Sequence, residues 1–183
     1  LTGGVIPVVA GYQGVDAQGR LVTLGRGGTD LSAAAIAAAL GADCDIYTDV
    51  DGVFTTDPRI EPKATRLERI SHDEMLELAA MGAKVLQTRS VEYAKAKGVA
   101  MRVKSSFAAP GQSAGTEVLS ENALAERRVV SGIAYARAQA RIAVPGIESS
   151  ASGPGGVFAA LAEAGVHVDM IVQGRARAGG SNL

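Results

Sequence analysis

Two glycine-punctuated polar stretches carry the residue types that could handle a charged small molecule. The first, Gly25-Arg26-Gly27-Gly28-Thr29-Asp30, sets a guanidinium among glycines. Backbone can approach a ligand closely there, and the planar fork of Arg26 suits bidentate gripping of a carboxylate or phosphate. The stretch lacks the Gly-Lys-Ser/Thr ending of a Walker loop and the spacing of the dinucleotide fingerprint, so on pattern alone it also reads as a tight turn capped by Thr29 or Asp30. The second stretch, Thr48-Asp49-Val50-Asp51-Gly52-Val53-Phe54-Thr55-Thr56-Asp57-Pro58-Arg59, reads either as a plain Asx turn or as a nucleotide loop. In the latter case Asp49 serves a ribose, backbone N–H groups near Gly52 serve phosphates, and Arg59, turned back by Asp57-Pro58, meets phosphate charge. A calcium loop is excluded, because the third carboxylate and the glutamate at loop position twelve are missing. Gly82-Ala83-Lys84-Val85-Leu86 puts Lys84 at the expected start of a helix, where the macrodipole disfavours a cation by roughly 0.3–1 kcal/mol. A bound anion reverses that sign; a solvated surface lysine is the other reading.

The elements that must position these residues follow from periodicity and punctuation. Val5-Ile6-Pro7-Val8-Val9-Ala10-Gly11 is a near-continuous apolar run of the kind found in a strand covered on both faces. It begins with no methionine and no leading element, so the chain reads as a piece of something longer. Tyr12 to Leu24 reads as a hairpin around Asp16-Ala17-Gln18-Gly19. A helix is expected over Leu31–Leu40, opened by a Thr29 or Asp30 cap and stopped by Gly41, then a strand over Cys44–Thr48. That strand, loop, helix, strand unit predicts a right-handed crossover, with ligands collecting at the carboxyl ends of the strands. Asp49 to Pro58 is loop, and Pro62 forbids a helix before Thr65. Ser71-His72-Asp73-Glu74 is a capping box opening a helix that ends near Gly82. A second helix is expected over Val85–Lys97, strands over Val99–Lys104 and Thr116–Val118, and a domain boundary at 122–128. Beyond it, Val129–Tyr135 and Ala138–Val144 read as strands, Gly156–Ala164 as a helix and Val166–Val172 as a strand. This second module is too small to close a core alone, which predicts completion by another chain.

Composition excludes several functions. A formal charge of −1 and 4% aromatic residues leave little for gripping or stacking nucleic acid. No apolar run is long enough to span a membrane, and a cytoplasmic protein is the default reading. One cysteine, Cys44, rules out an internal disulfide, and two histidines far apart in sequence supply no metal cluster. Cys44 reads as packing, and His72 and His167 as exposed or edge residues.

Taken together, Gly25 to Asp30, Thr48 to Arg59, Gly82-Ala83-Lys84-Val85-Leu86 and Arg89-Ser90-Val91-Glu92-Tyr93-Ala94 closely resemble the aspartate kinase family in order and spacing. The resemblance covers essentially the whole chain. It implies an α/β fold: a partial three-layer amino acid kinase-type sandwich at 1–121, a linker at 122–128, and a partial ferredoxin-like ACT regulatory module at 129–183. The module's likeness rests on Val144-Pro145-Gly146-Ile147, Gly153-Pro154-Gly155 and Val168-Asp169-Met170-Ile171-Val172-Gln173. The resemblance further implies that Thr48, Asp49, Gly52, Phe54, Arg59 and Lys84 hold ATP, that Arg26, Thr29 and Asp30 belong to the aspartate and catalytic centre, and that Gly153, Pro154, Gly155, Asp169 and Gln173 face a feedback amino acid, lysine or threonine. Three departures stand out. Ser152-Gly153 replaces the acidic or amide residue usual before the Pro-Gly, the family's opening Lys-Phe-Gly-Gly-Thr-Ser segment is absent, and the ACT-like part stops before its second half.

The resembling chemistry is phosphoryl transfer from ATP to the side-chain carboxylate of L-aspartate, giving 4-phospho-L-aspartate, with ATP and Mg²⁺ as cofactors. That acceptor is ionised at neutral pH, its pKa being about 3.9, so no general base is required. Rate then rests on in-line positioning and on neutralising charge with Mg²⁺, lysine and backbone donors. Three readings remain: a feedback-regulated aspartate kinase lacking its opening lysine segment, another amino acid kinase, or a non-catalytic regulatory chain binding lysine or threonine. A homo-oligomer, or pairing with another subunit through the ACT-like part, accompanies the first.

Overall fold

The computed structural model describes residues 3–83, 85–109, 111–112, 114–124, 129–137, 139–145, 147, 152–168, 170–172, 174–175 and 181–182. The chain divides into two compact units, Leu1–Ala136 and Arg137–Leu183.

In the first unit the expected hairpin forms from β1, Gln13–Val15, and β2, Leu21–Thr23, paired antiparallel. The Asp16 carboxylate accepts from the Gln18 and Arg20 N–H groups at 2.9 and 2.8 Å, closing the turn. Four further strands make the sheet: β3, Cys44–Thr48; β4, Arg69–Ser71; β5, Met101–Ser105; and β6, Thr116–Leu119, in the order β3-β5-β6-β4. β3 and β5 run parallel with Thr48 opposite Ser105, β6 is antiparallel to β5, and β4 is parallel to β6. Period-two alternation sends Cys44, Ile46, Met101, Val103, Thr116 and Val118 inward. Asp45 takes the other face, held by Arg102 Nε at 2.5 Å and Lys104 Nζ at 2.7 Å.

Three helices cover the buried face: α1, Gly28–Leu40; α2, His72–Ala80; and α3, Thr88–Lys97. α1 lies close to its neighbours because its inward side is alanine, with Ala34 and Ala37 buried beside Val91 and Ala94. It ends as expected at Gly41, whose φ of 61° no β-carbon would favour. α2 opens on the complete capping box: Glu74 N–H donates to Ser71 Oγ at 3.1 Å, and Ser71 N–H donates to Glu74 Oε2 at 2.9 Å.

Several expectations are corrected. Val5 to Gly11 is not a strand; Val5 is 75% and Val8 96% exposed. An apolar run becomes a strand only when another backbone pairs with it, and among the described residues none does. α1 begins at Gly28 rather than Leu31, with Gly27 as its cap and no side-chain cap from Thr29 or Asp30. Gly27 takes a left-handed φ of 73°, and Ser32 Oγ donates back to Gly28 O at 2.8 Å, so the helix takes in Gly28, Thr29 and Asp30, the last three residues of the glycine loop. α3 starts at Thr88, not Val85, because buried Leu86 plugs the core and Gln87 stays extended with ψ of 136°. His72 is not exposed: it is 3% accessible, with Nε2 3.0 Å from Val99 O. It lies under the first turn of α2, a placement that one-dimensional patterning does not separate from the solvated side. Val129 to Tyr135 forms no strand and instead docks by individual contacts on α2 and the loop after β3.

The second unit contains α4, Ser152–Glu163, near the expected helix, and a two-residue ladder between β7, Gly174–Arg175, and β8, Ser181–Asn182. No ladder forms among the described residues of Ala138–Val144 or Val166–Val172. Ile142, Ile171 and Val172 remain exposed, with no second apolar layer over them among the described residues.

Candidate functional site

The carboxyl ends of β3 and β5 set the first group of contacts. Thr48 faces Ser105 across the parallel pair, and Ser106 N–H donates to Thr48 O at 2.8 Å, so the two loops leave the sheet together. Thr48 Oγ1 donates to Asp49 Oδ1 at 3.2 Å, and Asp49 is exposed. The chain then dives. Gly52, at φ of 144°, is pressed so tightly on β6 that an added Cβ would fall 2.5 Å from Thr116 Oγ1. Val53 N–H donates to that hydroxyl at 2.9 Å, and the hydroxyl donates to Leu67 O at 2.6 Å. Leu67 N–H donates to Val53 O at 2.8 Å and Thr55 N–H to Thr65 O at 2.9 Å, with Phe54 bridging Arg66 between them. The middle of the loop is therefore a short ribbon fastened to the sheet through one buried threonine.

Past this anchor the loop surfaces again. Arg59 folds onto Asp57, with Nη2 2.8 Å from Oδ2 and Nε 3.0 Å from Oδ1, and its side chain stays 88% exposed. The hydrogen bonds from Arg59 hold the Asp57 carboxyl below the usual carboxylate range. A guanidinium has five N–H donors, so Arg59 keeps three for another acceptor.

The second group gathers around the glycine loop. Gly25 and Gly27 both take left-handed backbone, and a Cβ on Gly27 would fall 1.9 Å from Gln87 Cγ. Arg89 Nη1 donates to Leu24 O at 3.0 Å. Both contacts come from the start of α3, just after Gly82 to Leu86, so the structure brings the glycine loop against the segment that follows Lys84. Lys84 itself lies outside the described residues, as do Asp169 and Gln173. Arg26 and Thr29 are exposed and Asp30 is half-buried. Burial pushes the Asp30 carboxyl above its ordinary range, and its charge is felt at the Cys44 thiol, itself pushed up by burial and by Asp45. Among the described residues nothing pairs with the side chains of Arg26 or Asp30. Gly153, Pro154 and Gly155 fall in the first turn of α4, in the second unit.

Sequence reasoning missed Thr116, Gln87 and Arg89. A threonine right after Gly115, on a strand whose other inward residue is Val118, was the one available signal for the first. Arg89 stood out only as the first residue of the Arg89–Ala94 motif and Gln87 not at all; both act across elements. Among the described residues no three His, Cys, Asp or Glu side chains group as a metal site, and no helix is long and apolar enough to cross a membrane.

A model of the amino acid kinase family matches residues 1–105. The aspartokinase of Helicobacter pylori is 52% identical over 183 residues, an alignment that takes in 97% of this chain and 44% of that protein. Among solved structures, Escherichia coli aspartokinase III in complex with aspartate and ADP, in its R-state, is 31% identical with a TM-score of 0.67, over 94% of this chain and 37% of the other. The same enzyme in complex with lysine and aspartate, in its T-state, is 30% identical with a TM-score of 0.64, over 94% and 38%. The chain thus spans less than half the length of these relatives.

Proposed function

As the chain belongs to the amino acid kinase family, we propose that it is the nucleotide-binding part of an aspartate kinase, an enzyme moving the γ-phosphoryl group of ATP onto the side-chain carboxylate of L-aspartate. Half of its residues are shared with the Helicobacter pylori aspartokinase, and its backbone follows that of an Escherichia coli enzyme holding aspartate and ADP. The observation that carries the reading is the loop Thr48–Arg59, fastened at Gly52 and Val53 and leaving Asp49 and three N–H donors of Arg59 at the surface.

The donor set fits a magnesium nucleotide. Mg²⁺ is commonly held by one or two carboxylates and the phosphates themselves rather than by an all-protein cage; of this loop's three carboxylates Asp49 is assigned to the ribose and Asp57 is paired with Arg59, which leaves the exposed Asp51 for the ion. When bound, the ion neutralises charge developing on the transferred group. Asp49 takes the ribose hydroxyls, Gly52 and its neighbours set the loop's approach to the phosphates, Phe54 gives an apolar edge, and Arg59 and Lys84 meet phosphate oxygens. Arg26 grips a substrate carboxylate. Asp30, with Thr29, orients the substrate ammonium; it removes no proton, because the attacking carboxylate is already ionised at neutral pH, with a pKa of about 3.9.

Residues 129–183 are read as part of a ferredoxin-like ACT module taking lysine or threonine, with Gly153, Pro154, Gly155, Asp169 and Gln173 toward the effector. The support is the lysine complex of the Escherichia coli relative. A module of this kind pairs with a second copy or another subunit. Calorimetric titration of the chain with Mg-ATP, aspartate, lysine and threonine tests the whole reading. Saturable Mg-ATP binding lost in Asp49→Ala and Arg59→Ala supports it. Binding of lysine or threonine with no nucleotide binding would replace it with a regulatory, non-catalytic chain.

A further inference from the structure

In the ribbon that follows Gly52, Phe54 and Arg66 face each other between two backbone bonds, Leu67 N–H to Val53 O at 2.8 Å and Thr55 N–H to Thr65 O at 2.9 Å. A non-hydrogen-bonded pair of this kind sets its two side chains on one face of the ribbon, while Val53 and Leu67, each 1% exposed, take the other face into the core. Arg66 therefore shares a face with the loop's aromatic residue and, two positions back, with Gly52. The Arg66 Cδ lies 3.0 Å from the point where a Gly52 Cβ would fall, and Thr116 Oγ1 lies 2.5 Å from the same point. Nη1 of the guanidinium is sealed from solvent and meets no hydrogen-bond acceptor. Among the described residues no ion pair relieves it. Glu117, the acid next to Thr116 on β6, is taken by Arg69 Nε at 2.9 Å, and Asp57 is taken by Arg59.

We propose that Arg66 is a further phosphate-binding residue of this chain, its guanidinium kept under the Gly52 turn for the triphosphate of a nucleotide. The proposal rests on the nucleotide reading of the Thr48–Arg59 loop and deepens it. Buried polar groups are nearly always satisfied, and a desolvated cationic donor without an acceptor opposes folding. A ribbon position that had only to cover Thr116 and lie beside Phe54 is served as well by an uncharged chain of the same length. What the cation adds is attraction for an anion, and the anion that reaches Gly52 in the nucleotide reading is a polyphosphate. Arg59, 88% exposed and folded on Asp57, meets that anion from the solvent side. Arg66 meets it from the sheet side, where a lower dielectric strengthens the attraction and the planar fork takes two oxygens. Asp51, next to Gly52 in the chain, holds the metal ion beside the same phosphates.

The test is calorimetry on the 183-residue chain at fixed ionic strength, comparing Mg-ATP with adenosine, which carries no phosphate. Arg66→Met keeps the length and removes the charge; it should weaken Mg-ATP about tenfold or more and leave adenosine within about twofold. Its urea midpoint without nucleotide should equal or exceed that of wild type, because an unpaired buried donor is gone. Arg66→Lys, a point charge without the fork, should bind Mg-ATP with intermediate affinity. Wild-type Mg-ATP affinity in Arg66→Met overturns the proposal. So does a loss of Mg-ATP and adenosine in the same proportion, or a urea midpoint lowered by about 1 M or more, either of which makes Arg66 a strut of the ribbon. Where Arg66→Met does not fold, Arg66→Gln decides by the same readouts. Should the wild-type chain bind no Mg-ATP, the proposed function fails, and sodium tripolyphosphate then decides for Arg66 by itself. A rise in the wild-type urea midpoint that Arg66→Met lacks keeps Arg66 as an anion site; no rise, or an equal rise in both, overturns it.

Discussion

Thr116→Val removes a single oxygen from the buried fastening of the loop, and the structure sets what that costs. Thr116 is fully buried, and Val53 and Leu67 are 1% exposed. The hydroxyl accepts from Val53 N–H and donates to Leu67 O, so valine of nearly the same shape leaves one buried donor and one buried acceptor unmatched. Each such group costs about 1–3 kcal/mol, and the gain from burying a methyl offsets about 1, giving a net loss of about 1–5 kcal/mol, centred near 3. Against a typical stability of about 5–15 kcal/mol this is a large fraction. Urea unfolding followed by far-ultraviolet circular dichroism should show the midpoint falling by about 1 M or more, given a slope of about 1–3 kcal/mol/M. Labelling of Cys44, the lone thiol and buried on β3, gives a second readout of opening. Thr116→Ser keeps the hydroxyl and should lose only about 1 kcal/mol. Equal destabilisation by valine and serine would refute the hub, because the methyl and not the oxygen would then be what the site needs.

Three further outcomes follow from the same geometry. Burial holds His72 below its usual imidazole range, so the unfolded chain binds the proton more readily; the stability it contributes is complete above about pH 6.5 and is lost as pH falls through the depressed folded value. Thermal melts from pH 7.5 to 5 should slope downward, and His72→Gln should flatten that slope. Gly27→Ala combines a left-handed φ with a Cβ 1.9 Å from Gln87 Cγ and should cost about 2 kcal/mol or more by urea unfolding, partly recovered with Gln87→Ala in the same chain. In the catalytically complete enzyme, Asp30→Asn should lower kcat by about 10²–10³, measured by coupled ADP release; a rate within about threefold of wild type would remove Asp30 from the centre.

Local chemistry made much of the fold legible. The capping box at Ser71–Glu74, the glycine stops at Gly41 and Gly98, the Asp16 turn and the two-residue alternation in β3, β5 and β6 are each decided within a few residues, and each forms. The failures share one cause. Val5 to Gly11 and Val129 to Tyr135 have the composition of strands, but strand formation depends on a partner backbone that composition does not contain. The early start of α1 has the same origin: Gly27 and Gly28 enter the helix and its cap because Gln87, sixty positions away, presses on the loop. Glycine and charge patterns marked both candidate loops, whereas Thr116, which fastens one of them, and Arg89, which braces the other, show their roles only across elements.

The two loops differ in how they are held, and the difference matches the work proposed for each. The Thr48–Arg59 loop is fastened at its middle by hydrogen bonds to a buried hydroxyl, so its polar ends can shift about a fixed point without the anchor breaking. The glycine loop is held by contact with Gln87 and by one Arg89 bond to a carbonyl, and its Thr29 and Asp30 are released from capping because Gly27 performs that role through backbone alone. A carboxylate kept half-buried and free of partners among the described residues is costly, and burial raises its pKa accordingly. A substrate ammonium would recover that cost, and in the proposed transfer an oriented acceptor matters more than a base. The expense of leaving Asp30 without a partner among the described residues is the physical argument for proposing it at the centre.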